Sequence, residues 1–91
     1  MPTARAREYV VECFWPGVQD SDLEELDGRI AAVACAEARY QGSILMRADE
    51  VVLCLFTGSD AAVRAVAERA SIPFERILES ARSPWPRAVS P

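Results

Sequence analysis

The sequence predicts an α+β domain with the element order β-α-β-β-α-β, and three observations carry that prediction. Two segments place apolar residues at three- and four-residue steps, the signature of amphipathic helices. Four runs rich in β-branched and aromatic residues read as strands. The middle two of these runs are separated only by Ala48-Asp49-Glu50, a hairpin spacing.

The first strand spans Glu8 to Trp15 and stops at Pro16-Gly17. Ser21 and Glu24 then form a Ser-x-x-Glu capping box, and Leu23, Leu26, Ile30, Val33 and Ala34 extend a helix from Asp22 to Ala38. Gly28 interrupts that helix at a cost of about 1 kcal/mol relative to Ala, as expected where a helix comes close to a neighbour. Tyr40 to Arg47 and Val51 to Thr57 are the second and third strands. Val51 to Phe56 is apolar at consecutive positions, as in a strand covered on both faces. Gly58 and Ser59 open a second helix, in which Val63, Val66, Ala67 and Ala70 form the apolar stripe and which Ser71-Ile72-Pro73 ends. The last strand, Arg76 to Arg82, sets Ile77, Glu79 and Ala81 on one face against Leu78 and Ser80. Residues 7–82 form the domain, between a flexible N-terminus, 1–6, and a Pro-rich tail, 83–91, where Pro84, Pro86 and Pro91 surround Trp85. This order is the ferredoxin-like one: a four-stranded antiparallel sheet with both helices on one face.

Composition narrows the chemistry. At 91 residues the chain is one domain, too small to enclose a deep cofactor cleft alone. The net charge of −4 argues against non-specific nucleic-acid binding, which needs clustered cations. Histidine is absent, which excludes a Ser-His-Asp triad, a Cys-His pair and a His-rich metal site within one chain. Cys13, Cys35 and Cys54 are odd in number and widely spaced, which fits neither a disulfide framework nor a zinc knuckle. In apolar surroundings each reads as a reduced, core-packed thiol. No segment reaches membrane-spanning length and Met1 to Arg7 lacks a signal-peptide core, so a cytoplasmic protein is expected.

Two helices cover only one face of a four-stranded sheet. In the first strand the faces are Tyr9, Val11, Cys13 and Trp15 against Val10, Glu12 and Phe14, and in the third Val51, Leu53 and Leu55 against Val52, Cys54 and Phe56. Neither face is polar enough to be left in water, so a homodimer is expected, its uncovered faces turned inward as a dimeric α/β barrel.

Four motifs carry a resemblance. Tyr9-Val10-Val11-Glu12 before Pro16-Gly17, Cys54 in the third strand, Ala62-Val63-Arg64 in the second helix, and Ile72-Pro73-Phe74-Glu75-Arg76-Ile77 before the last strand recur together. With them the chain resembles a group of small ferredoxin-like proteins of actinobacterial type and unknown function, one member of which is described as nickel-binding. The resemblance implies a divalent metal such as nickel as a cofactor. The chain departs from the pattern at Leu53, where similar sequences often carry Tyr, and at Val66, where they often carry His.

The candidate site residues are Glu12, Phe14, Cys54, Phe56 and Glu79, with Glu12 and Cys54 as candidate metal ligands. A carboxylate in mid-strand needs a partner or a raised pKa, so Glu12 is either an acid-base group, a ligand contact or half of an ion pair with Arg47 or Arg76. Glu79, on the strand expected beside the first, is either a second carboxylate close to Glu12 or a solvated edge residue. Cys54 is a soft ligand or a core thiol. Tyr9, Phe14, Trp15, Tyr40 and Phe56 line a pocket or fill the core. The expected function is that of a homodimer binding a small ligand or metal between its sheets. The alternatives are a cofactor-free isomerase, cyclase or monooxygenase, with Glu12 or Glu79 as the base and Tyr9 or Arg47 holding an oxyanion, and an interaction module without a site.

Overall fold

The computed structural model describes residues 7–82. The expectations for the N-terminal six residues and the Pro-rich tail lie outside the described residues. Within them the order is β1 (Arg7–Phe14), α1 (Asp20–Val33), β2 (Ala38–Met46), β3 (Val51–Gly58), α2 (Asp60–Arg69) and β4 (Arg76–Ser80). The strands form one antiparallel sheet in the order β2-β3-β1-β4, the ferredoxin-like arrangement.

Alternation decides which side chains meet the helices. Tyr9, Val11 and Cys13 of β1 and Val52, Cys54 and Phe56 of β3 are buried in one core with Leu26 and Ile30 of α1 and Val63, Val66 and Ala67 of α2. Leu23 and Val33 of the α1 stripe pack at its rim. Val10, Glu12 and Phe14, with Val51, Leu53 and Leu55, take the face that no helix covers.

The first helix departs from its expected bounds at both ends. Its N-cap is Gln19, whose backbone N–H donates to Asp22 Oδ2 at 2.8 Å, so the reciprocal contact uses Gln19 and Asp22 and not Ser21 and Glu24. It ends at Val33, because Ala34 turns to extended backbone (φ −62°, ψ 151°). Cys35 and Ala38 then exchange backbone hydrogen bonds of 3.3 and 3.0 Å, which closes a tight turn and starts β2 two residues before Tyr40. Gly28 is exposed, with open space where a Cβ would lie, so no close helix approach explains it.

Three contacts fasten the connections. Trp15 N–H donates to Glu50 O and Gly17 N–H to Glu50 Oε2, both at 2.8 Å, which ties the β1–α1 turn to the hairpin turn. Arg29 Nε donates to Ala70 O at 2.8 Å and so caps the end of α2 from α1. Gly58 lies where a Cβ would overlap the Glu37 carbonyl, the same oxygen that accepts from Ser59 N–H at 2.9 Å. Ser59 caps α2 as its position predicts, its Oγ accepting from Ala62 N–H.

Candidate functional site

The uncovered face is built in cross-strand rows. One row runs Met46, Val51, Phe14; the next Ile44, Leu53, Glu12, Arg76; the third Gly42, Leu55, Val10, Leu78. Among the described residues, all four large apolar side chains that stand exposed lie in these rows: Phe14 at 54%, Ile44 at 46%, Met46 at 45% and Leu78 at 39%. Val10, Val51, Leu53 and Leu55 are half-buried among them. These three rows therefore make a mainly aliphatic surface with one charged pair inside it.

That pair is Glu12 and Arg76. Their strands place them directly opposite each other, and Arg76 Nε donates to Glu12 Oε1 at 2.6 Å. The Glu12 side chain is 27% exposed, and the neighbouring carboxylate raises the Arg76 pKa, through the hydrogen bond first and the charge second. Of the two arginines considered for Glu12, the structure selects Arg76; Arg47 instead pairs with Asp20 at 2.9 Å beyond the hairpin turn. Glu8 and Arg82 form a second ion pair, at 3.3 Å, toward the other end of β1.

The remaining candidates fall elsewhere. Glu79 is level with Tyr9 on the opposite face and pairs with Arg7 at 3.3 Å, so the two carboxylates do not approach and share no proton or cation. Cys54 and Phe56 are wholly buried beneath the helices while Glu12 and Phe14 stand on the uncovered side, so Glu12 and Cys54 cannot ligate one ion. Among the described residues no three His, Cys, Asp or Glu side chains converge in a metal-binding geometry. The oxyanion holders of the enzyme reading are also apart, with Tyr9 in the core and Arg47 in the turn.

The covered face holds a polar cluster that the sequence pattern does not mark. Tyr40 donates its hydroxyl proton to Asp27 Oδ1 on α1, Ser43 Oγ bonds the same oxygen at 3.5 Å, and Ser43 is paired in register with Cys54. Burial first, and the Asp27 bond second, push the Tyr40 pKa well above its ordinary value. Cys54 is diagonal to Cys13 across β1 and β3, while the Cys13 Sγ itself faces Val11 O at 4.0 Å; the neighbouring Cys13 thiol first, and burial second, push the Cys54 thiol well above its ordinary range, and Cys13 is shifted down in turn. Asp27 falls outside the apolar stripe of α1, and only the α1–β2 packing reveals its role. Cys35 also departs from its expected core position: the early end of α1 leaves it exposed in an open depression of about 580 Å³, lined also by Ala31, Ala34, Ala36, Arg39 and Tyr40.

No protein-family model and no curated protein matches the chain. Its fold is that of SCO4226 from Streptomyces coelicolor A3(2), with a TM-score of 0.71 and 24% identity over 84% of this chain and 98% of that one. At that identity the likeness establishes a shared ferredoxin-like architecture and leaves the site chemistry to be argued from the residues themselves.

Proposed function

We propose that this chain is a homodimeric binding protein whose two uncovered sheet faces close on each other around a small, mainly apolar molecule, with Glu12 and Arg76 as its polar contact. The observation that supports this is the concentration on one face of Phe14, Ile44, Met46 and Leu78, the exposed large apolar residues among those described. Monomeric proteins rarely leave so continuous an apolar patch in water. Four strands about 4.8 Å apart and eight residues of about 3.4 Å give a flat footprint of roughly 500 Å² before side-chain relief is added. That approaches the area of about 600–1,000 Å² that a standard interface takes from each partner.

The motif resemblance and the shared architecture together favour membership in the actinobacterial-type family named above. The nickel binding of that family's described member is not carried over through Glu12 and Cys54, which lie on opposite faces. Glu12 is better suited to hold a hydrogen-bond donor of a ligand, since Arg76 engages only its Oε1 and leaves Oε2 as an acceptor on the uncovered face. Native mass spectrometry of the freshly purified protein tests the reading. A species at twice the 10.0 kDa chain mass, carrying additional mass released on unfolding, is expected. A monomer without bound mass at micromolar concentration would overturn it.

A further inference from the structure

Cys13 and Cys54 form a reduced thiol pair, wholly buried and shared between the two central strands. Register sets Cys13 opposite Val52 and Cys54 opposite Val11, so the two are diagonal neighbours on the helix-covered side. We propose that this pair is a two-coordinate site for a soft monovalent cation, copper(I), held as a linear bis-thiolate. The site is on the opposite face from the proposed ligand surface and does not depend on it.

Geometry separates this from a disulfide. Diagonal Cβ atoms on antiparallel strands lie somewhat under about 7–8 Å apart, whereas a disulfide needs about 3.5–4.5 Å. Two metal–sulfur bonds of about 2.3 Å laid end to end span roughly 4.6 Å, a separation within the rotameric reach of cysteine side chains on diagonal positions. Thiolate is the donor that selects copper(I), and two sulfurs complete its linear coordination. Divalent metals that need four or more donors find no third ligand among the described residues.

Charge favours a cation as well. Glu12 adjoins Cys13 in β1 and accepts the Glu75 N–H at its carbonyl, and Asp27 is bonded by Ser43, the residue in register with Cys54, so carboxylates stand at both ends of the pair. When copper(I) binds, two S–H bonds break, two Cu–S bonds form and two protons leave to solvent, with no change in oxidation state. Ser43, in register with Cys54 and bonded to the same Asp27 oxygen as the Tyr40 hydroxyl, gives the buried product a polar neighbour.

Anaerobic competition of the intact, reduced chain against the chromogenic copper(I) chelator bicinchoninate tests the site, with copper K-edge absorption of the loaded protein. One copper(I) per chain and a two-sulfur coordination spectrum are expected. Cys13→Ser and Cys54→Ser should weaken binding beyond the roughly 10–100-fold that outer-shell changes cost, while Cys35→Ser leaves it unchanged. The wild-type spectrum decides the matter even if a core variant fails to fold. Failure to compete with the chelator, oxygen or nitrogen donors in the spectrum, or dependence on Cys35 would each overturn the proposal.

Discussion

Burial and the Asp27 carboxylate both disfavour a phenolate at Tyr40, which makes this residue a source of alkaline sensitivity. The sign follows from proton counting. Above pH 10.0, the ordinary value for the group, the unfolded chain has lost a phenol proton that the folded chain keeps. The unfolded state then binds fewer protons, so stability is full below that pH and falls as pH rises. Cys54, also raised, contributes in the same direction from its ordinary 9.0 upward. Tyr40→Phe removes the phenol and its bond to Asp27, so it should lower stability by about 1 kcal/mol at pH 7. It should also lose less than the parent between pH 9 and 11. Urea denaturation across that range measures both effects; parallel pH profiles for the two proteins would assign the alkaline loss to another group.

At the scale of the elements, two glycines make opposite demands. Gly58 ends β3 against the Glu37 carbonyl, and an added Cβ would force apart the α1–β2 connection and the start of α2. Gly28 faces open space on α1 and gives the helix nothing in return for its conformational freedom. Gly58→Ala should therefore destabilise by more than about 2 kcal/mol, the scale of overpacking, and Gly28→Ala should stabilise by about 0.5–1 kcal/mol. Thermal or urea melts compare them directly, and equal melting of Gly58→Ala and wild type would contradict the close approach to Glu37. The same elements show what the sequence discloses. The stripe Leu23, Leu26, Ile30, Val33 states that α1 is a helix and which side it buries, because period alone fixes a face. Past its end the local Cys35–Ala38 turn is held by Gly58 and Ser59 against the Glu37 carbonyl, a contact from residues some twenty positions along the chain that the stripe does not announce, so Cys35 reads as core and is exposed. Glu12 is legible as an anomaly for the same reason of period. Its partner is not, since choosing Arg76 over Arg47 or bringing Glu79 near depends on a β1–β4 register that local pattern does not encode.

For the whole molecule, the central question is what covers the second face of the sheet. One layer of helices buries Tyr9, Val11, Cys13, Val52, Cys54 and Phe56, and no helix covers the rows through Phe14, Leu53 and Leu78. If a second copy supplies it, folding and association are linked by mass action, and the melting temperature rises with protein concentration. Phe14→Arg and Leu78→Arg change residues that the monomer leaves largely exposed, so they should cost the isolated domain little. Placed at a seam between two faces, however, each guanidinium would lose its hydration and meet its symmetry mate nearby. The expected result is a melting temperature that no longer depends on concentration and a chain that runs as a monomer in light scattering, with the far-ultraviolet spectrum unchanged. A wild-type melt that is independent of concentration over about two decades would mean that the domain reaches its full stability alone. The aliphatic face would then be a surface for some other occupant.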